Sequence, residues 1–458
     1  MPPLRTVLAA VVVVCAAAVF LAPPPAGMTT GSMHSAALVL FTVGLWALGA
    51  LPEHITGLLF FLLAMVLSIA PPQFVFSGFE SATLWLVLGG LIIAEAVQRT
   101  ALAERLAILI FDRYSDSYRH LVLAVVVASI ALSFVMPATI ARVFLLAPIV
   151  MAAAERAGFR YGSNGYDGLC IAALFTTYQC GTAILPANAP NLVLAGAAET
   201  VYGVQLHYAE YLAMQFPVMG IAKGALIAVF VWWLLPAQAT RKADPARSLA
   251  PMTPEQRRLA FILCVALVLW VTDFVHGVKA GWVALGAALA CVLPRVGVMS
   301  YAAFNEVRFG AYFYIAATLG LGVVTQKSGL SAALGRVIDS VLVLKPGTDF
   351  VNFVSLSVFT TLAGLFTTNP AQPAVLAPLA QGFADAAGWP LKTALFTLAV
   401  GFGTMVLPYQ VPPVVVGMQA MRLPLAPVLR VGLLLALTSL VLLLPLQFLW
   451  WRLIGAFG

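Results

Sequence analysis

The sequence predicts an all-α polytopic membrane protein: about 11 transmembrane helices, two re-entrant hairpins and two broken helices, arranged as an inverted repeat. Three observations predict it. Of 458 residues, 62% are hydrophobic and only 9% charged. A soluble domain carries roughly 25% charged residues, and a larger core would not remove the surface that must meet water. Apolar runs long enough to span a bilayer alternate with short polar joints. Finally, "GTAILPANAP" (181–190) returns as "GTMVLPYQVP" (403–412), identical at five of ten positions. Each copy lies inside an apolar run, where Gly and Pro interrupt a helix.

The elements follow in order. A first span is expected at 5–22. Arg5, the apolar run and "APPPAG" also resemble a signal peptide, but the run is long for one and no clean A-x-A site follows, so a retained helix is favoured. Spans 34–51, 55–70 and 81–98 come next, then a broken helix at 168–200 and a span at 214–235. The linker "PAQATRKADPARSLAPMTPEQRR" is the most polar and proline-rich stretch of the chain. Beyond it lie spans 258–274, 280–295 and 309–326, a broken helix at 391–418, and span 429–448. Helix-length runs without period-two alternation argue against a β-barrel. The apolar pairs 120–155 and 350–386 have polar kinks at their centres and arms of about 15–18 residues, short for full crossings. They are expected to be hairpins at 118–156 and 348–386.

Internal repeats organise these elements. "QRTALAERLA" (98–107) matches "QKSGLSAALG" (326–335), "TIARVFLLAP" (139–148) matches "NPAQPAVLAP" (369–378), and the two broken-helix phrases follow in the same order. The expected division is a first helix and loop at 1–32, one repeat at 33–235, a cytoplasmic linker at 236–257 and a second repeat at 258–458. If each hairpin enters and leaves on one side, each repeat crosses an odd number of times, and the second is inverted. Inverted repeats with discontinuous helices mark secondary transporters, with the site near mid-membrane between the repeats.

The net charge of +7 is not a nucleic-acid signal, because the cations flank spans. Sixteen Lys/Arg fall on one side, Arg5, Arg99, Arg156 and Arg308 among them, and six on the other, including Lys279 and Lys392. The excess places the N-terminus and linker in the cytoplasm of a bacterial-type inner membrane. Five scattered cysteines without CxxC spacing indicate neither a disulfide framework nor a zinc site. The histidines sit near span ends, as interfacial residues do. No GxSxG, Walker or HExxH motif occurs, so neither an enzyme nor ATP-driven transport is indicated, and no cofactor is implied.

A broken helix frees carbonyls at one end, which suit a cation, and N–H groups at the other, which suit an anion. The hairpin tips read "MPATIAR" (136–142) and "TTNPAQP" (367–373), with Pro137 and Pro370 interrupting the helix and Thr139, Thr367, Thr368 and Asn369 supplying oxygens. Two tips against two broken spans would set four helix N-termini around one cavity. Arg142, one turn past the first tip, reads either as a functional cation or as a structural one. Gln372 holds its place in the second repeat. Lys223 is expected to be structural or snorkelling. No Asp or Glu lies in either tip or break, which weakens a proton-exchanging reading.

Tips, breaks and hairpin order together resemble the divalent anion/sodium symporter family of the ion transporter superfamily, over about residues 33–450. "GTAILPANAPN" fits the family's first break, ending in Pro190-Asn191. "PATIAR" resembles the Pro-Ser-Asn-Thr-Ala-Arg form of the di- and tricarboxylate branch. The chain departs from the pattern at three places: Ala138-Thr139-Ile140 and Thr368-Asn369-Pro370 stand where the family has Ser-Asn-Thr, and Pro412-Pro413-Val414 lacks the family's Asn. The resemblance implies a homodimer that moves a small organic anion of di- or tricarboxylate type, by sodium-coupled symport and an elevator mechanism. It implies a substrate site of Ala138, Thr139, Ile140, Arg142, Asn188, Thr367, Thr368, Asn369, Pro370, Gln410 and Pro412. Sodium would be held by Thr139, Gly181, Asn188 and Asn191, and by Thr368, Asn369, Gly403 and Thr404, with the first set the better one. The alternatives are an inorganic-anion or arsenite exchanger, and a non-transporting degenerate homologue.

Overall fold

A computed structural model describes residues 4–113, 117–136, 138–239, 251–339 and 341–457, and these form helices and connecting turns with no strand. Pro137 and most of the charged linker, 240–250, lie outside the described residues. Short polar residues set the helix starts. The side chains of Thr29, Ser117, Ser163 and Thr253 each accept a first-turn N–H, and Thr253 closes a capping box with Gln256. Helices end at Gly49, Gly203 and Gly388 with φ of 56°, 67° and 72°, the left-handed conformation that glycine adopts without a Cβ penalty.

Among the described residues, six helices are long and apolar enough to cross a membrane: Leu4–Leu21, Thr30–Leu48, Ala82–Thr100, Tyr118–Val135, Tyr208–Leu234 and Leu425–Leu453. The spans expected at 55–70 and 280–295 are the shorter apolar helices Glu53–Val66 and Ala280–Val292. Those expected at 258–274 and 309–326 are Pro254–Val271 and Gly310–Lys327. Leu4–Leu21 lies against Thr30–Leu48 and buries only Ala16.

The element order recurs. Ala82–Thr100 and the short Leu102–Arg113 are followed by the hairpin arms Tyr118–Val135 and Thr139–Arg156. The interrupted pair Asn164–Phe175 and Ala189–Tyr202 comes next, and then Tyr208–Leu234. Gly310–Lys327 and Leu330–Asp339 are followed by the arm Asp349–Ala363, which returns through Gln372–Leu376 and Ala380–Ala387. The interrupted pair Leu391–Phe402 and Pro412–Ala420 and the final Leu425–Leu453 complete the order. Both closing helices carry a π turn, Phe216–Ala222 and Ser439–Leu443.

Two groups of helices pack on each other. In the first, Ala82–Thr100 lies along Ala280–Val292, and Glu53–Val66 along Gly310–Lys327. Glycines permit the approach: a Cβ on Gly281 would stand 1.9 Å from the Ala82 carbonyl oxygen, and one on Gly320 2.2 Å from that of Val75. Small residues at such crossings let membrane helices gain van der Waals contact that lipid would otherwise supply. The second group holds the hairpins, the broken helices and the two π-turn helices. The C-terminal helix caps the carbonyls beside the first π turn: Gln447 Nε2 and Trp451 Nε1 donate to Met214 O at 2.6 and 2.8 Å, and Trp450 Nε1 to Ala213 O at 2.8 Å. Polar ties between the groups sit near one rim, where Lys279 Nζ meets Glu199 Oε1 at 2.6 Å and Tyr208 N donates to Asp273 Oδ2 at 2.6 Å.

Candidate functional site

Both repeated phrases break a helix. Asn164–Phe175 continues through a π turn, Thr176–Cys180, and two tight turns before the helix resumes at Ala189. Leu391–Phe402 stops at Gly403 and resumes at Pro412 after a single turn, Pro408–Gln410. Prolines at the restart positions lack the N–H that a continuous helix needs and suit the first turn.

The restarts and tips converge on a cavity of about 1430 Å³. Ala138, Thr139, Ile140, Tyr178, Asn188, Ala189, Pro190, Pro370, Pro412 and Pro413 line one part, and Glu95, Arg156, Glu306 and Arg308 another. Four helices therefore begin at or beside this space, starting at Thr139, Ala189, Gln372 and Pro412. None has a side-chain cap on its first turn. Each start carries the positive end of a helix dipole, but the donors differ: Pro412 and Pro413 have no N–H, Val414 N and Val415 N both donate to Val411 O, and Gln372 N donates to Thr368 O.

Behind the first tip lies a filled polar cluster. Thr139 Oγ1 donates to Ala187 O at 3.1 Å and contacts Asn188 Oδ1. Asn188 Nδ2 donates to Tyr178 O at 2.9 Å, and Asn191 Nδ2 to Ile184 O at 2.8 Å. Arg142 is fully buried. Its Nη1 donates to Met136 O and, at 3.0 Å, to Ala187 O; its Nη2 donates to Thr177 O at 3.1 Å and lies 3.4 Å from Thr139 Oγ1 and 3.5 Å from Asn188 Oδ1. A guanidinium suits this work, because its fixed fork of donors spans several carbonyls at once.

The second cluster is built from neutral amides. Gln372 Nε2 donates to Thr360 O at 2.7 Å, and Asn369 Nδ2 to Phe402 O at 2.7 Å and to Tyr178 Oη at 3.0 Å. Gln410 Oε1 accepts from Val406 N and Leu407 N, while Gln410 O accepts from Asn369 N at 2.8 Å. Thr367 Oγ1, Asn369 Oδ1, Gln372 Oε1 and Gln410 Nε2 have no hydrogen-bond partner. Several of these atoms crowd around Gly364.

Of the residues expected at the site, Ala138, Thr139, Ile140, Asn188, Pro370 and Pro412 line the cavity. Arg142, Gly181, Asn191, Asn369, Gln410, Gly403 and Thr404 are buried among these polar contacts, and Thr367 and Thr368 are half-buried at the second tip. Of the two readings offered for Lys223, structural or snorkelling, its burial rules out snorkelling. It is fully buried, and its Nζ donates to Gly403 O at 2.9 Å, in the opposite half's break. Its partner is a backbone carbonyl, which has no side-chain signature in a sequence. Tyr178 and Gly364 were also missed. Tyr178 sits three residues before the first repeated phrase, which was a usable signal; Gly364 had none.

The family model described as "Sodium:sulfate symporter transmembrane region" matches residues 4–457. A "Membrane protein" of Cupriavidus necator is 24% identical over 414 residues, covering 84% of this chain and 80% of that protein. The "L-tartrate/succinate antiporter" of Escherichia coli K12 is 23% identical over 391 residues, covering 82% and 79%. The solved YdaH transporter of Alcanivorax borkumensis shares the fold at a TM-score of 0.60 and 15% identity, over 93% of this chain and 99% of that one.

Proposed function

The chain belongs to the sodium:sulfate symporter family and is a multi-pass protein of the bacterial inner membrane, and from that premise we propose that it is a secondary active transporter of a small dicarboxylate-type anion. One observation carries the reading: both hairpin tips and both helix restarts meet at one cavity, and neither tip nor break contains a carboxylate. Such an arrangement attracts an anion through backbone dipoles. Relatives named tartrate/succinate antiporters favour two carboxylates over an inorganic anion.

The recurring element order supports two inverted repeats, 33–235 and 258–458, with the cavity at their interface. The separation into two helix groups, tied by few polar contacts, supports an elevator in which the hairpins and broken helices move against a homodimeric scaffold. Positive-inside asymmetry puts Arg156 and Arg308 at the cytoplasmic end, so this conformation faces inward.

Coupling has two readings. Sodium symport rests on the neutral oxygens of Thr139, Asn188 and Asn191, and of Thr368, Asn369 and Thr404, with the carbonyls of Gly181 and Gly403. Exchange of one anion for another rests on protein donors already directed at three of those oxygens, Thr139 Oγ1, Asn188 Oδ1 and Gly403 O, and the geometry favours it. The test is counterflow in proteoliposomes loaded with succinate, tartrate or sulfate. Saturable uptake of labelled succinate or tartrate is expected. Sulfate or arsenite flux alone would move the assignment to an inorganic-anion exchanger, and no flux of any of these would point to a non-transporting homologue.

A further inference from the structure

We propose that Glu199 is a positioning residue of the transport cycle: its carboxylate latches the moving group to the scaffold and holds the anion site at the cytoplasmic face. The proposal rests on the elevator reading above and adds what sets the resting side.

The helix that slides against the scaffold is smooth except at one point. Ala189–Tyr202 packs along Gly310–Lys327 and Ala82–Thr100. Its stretch "LVLAGAA" (192–198) is apolar and buried throughout, and a Cβ on Gly196 would stand 2.6 Å from Leu319 Cδ2. Such a small-residue face gains van der Waals contact but offers no side-chain hydrogen bond that would favour one register. Thr200 Oγ1 donates to Gly196 O within the helix, and Tyr202 Oη donates to Ala377 O within the moving group. Among the described residues, Glu199 is the side chain of this helix that hydrogen-bonds to the scaffold.

Its partners stand at the starts of two scaffold helices. Glu199 Oε2 accepts from Ser81 Oγ at 2.6 Å, Thr83 N at 3.3 Å and Thr83 Oγ1 at 3.4 Å, where Ala82–Thr100 begins. Glu199 Oε1 accepts from Lys279 Nζ at 2.6 Å, where Ala280–Val292 begins. The positive helix ends favour a carboxylate here, and the ammonium adds a charge-assisted bond.

The placement gives the latch a direction. About 24 Å of helix separates Thr83 from Arg99, at about 1.5 Å per residue. The large cavity reaches that far end, where Glu95, Arg156, Glu306 and Arg308 line it. At the near end, Thr83, Leu185, Glu199, Leu206 and Lys279 line a void of about 20 Å³, room for about one water. The seam is thus shut where the latch sits and open at the opposite end. Carrying the hairpins and broken helices outward takes Glu199 away from Ser81, Thr83 and Lys279, so these contacts break together. Every outward step begins by opening them, and their energy biases the resting population inward.

The test is the sidedness of affinity. A site that faces outward in a fraction of molecules binds external anion with an apparent constant weakened by that fraction. Full-length Glu199→Ala, in vesicles of known orientation loaded with succinate, should therefore lower the KM for external labelled succinate about fivefold to tenfold. The KM at the cytoplasmic face should not fall. Loss of a merely structural contact would weaken affinity on both faces or lower the maximal rate alone. The fold tolerates the change, because Ser81 Oγ still accepts from Thr83 N at 3.1 Å. Lys279→Met should act in the same direction, and the double variant should add little to Glu199→Ala, since both remove one contact. A second arm needs no flux. Ala195 is buried on the seam beside Glu199. In protein stripped of its native cysteines, labelling of Ala195→Cys by an impermeant maleimide from the outer face should rise at least about fivefold when Glu199→Ala is added. Unchanged external KM and unchanged labelling in a folded, monodisperse Glu199→Ala would overturn the proposal and leave the Tyr208–Asp273 tie to hold this conformation. A raised external KM would overturn it as well. Raised labelling without flux of any anion would support the latch and refute the transporter reading separately.

Discussion

The two halves of the site share a backbone phrase and differ in what fills it. In the first half a guanidinium occupies the space behind the tip and gathers carbonyls from the hairpin, the π turn and the break. In the second half the matching position is Gln372, which caps a single carbonyl, Thr360 O, and leaves its own oxygen unpaired. The cation that serves the second break, Lys223, comes from the first half of the chain. The recurring phrase sets the same frame in both halves, and the cation at each break comes from the first half of the chain. The first half thus holds a charged brace and the second a cluster of neutral amides, and both keep unpaired buried atoms, Asn191 Oδ1 and Arg142 Nε in the first, Asn369 Oδ1, Gln372 Oε1 and Gln410 Nε2 in the second.

The comparison breaks most severely if the first half is rewritten as the second. Arg142→Gln removes donors from Met136 O, Thr177 O and Ala187 O, at a cost on the order of 3 kcal/mol. A clear fall in melting temperature should accompany a drop in counterflow of about 100-fold. Near-normal exchange would mean that the brace is dispensable.

A glycine pair sharpens the contrast. A Cβ at Gly181 would stand 3.0 Å from Arg142 Nη2 and 3.2 Å from Asn188 Nδ2, whereas one at Gly364 would meet Gln372 Nε2 at 2.7 Å and Gln410 Nε2 at 2.8 Å. Gly181→Ala should therefore lower both stability and exchange, the latter about tenfold, because the guanidinium cannot yield without losing bonds. Gly364→Ala should lower exchange by a similar factor with a smaller melting shift, about 2 °C, since it displaces one side-chain bond, Gln372 Nε2 to Thr360 O, where Gly181→Ala disturbs several. Equal melting shifts in the two variants would erase the distinction between brace and amide cluster.

Tyr178→Phe tests the link between halves. It removes the hydroxyl that accepts from Asn369, which keeps its bond to Phe402 O. A loss of about 1 kcal/mol and a threefold to fivefold reduction in exchange are expected. The smallest effect separates Asn191 from Val414. Asn191→Ala strips the donor from Ile184 O and should reduce transport about twofold more than Val414→Ala does. Indistinguishable rates would count against functional asymmetry at these positions.

Much of the frame was legible because Pro and Gly are costly inside membrane helices and so advertise where a helix must stop. The repeated phrase located both breaks within a few residues, and the polar kinks located the tips. Thr139, Asn188 and Pro412 could be placed at the cavity because they adjoin those stops. What a residue's side chain meets across the molecule was not legible. Lys223 read as a lysine in an apolar helix because its partner, Gly403 O, is backbone. The ambiguity at Arg142 also turned on backbone: Met136 O and Thr177 O come from separate helix ends that only the fold brings together.

The π turn at Phe216–Ala222 has a geometric consequence of its own. A π turn carries one residue more than an α-turn, and one residue corresponds to about 100° of rotation about the helix axis. It thus acts as a phase shift between Tyr208–Gln215 and Lys223–Leu234. Deleting a single residue there would let the helix close into regular α geometry and swing the ammonium roughly a quarter-turn from Gly403, with no other position in the sequence altered. In this helix the azimuth of a charge is set by counting residues upstream of it, so sequences aligned across that turn can share every side chain and still differ in which way the lysine faces.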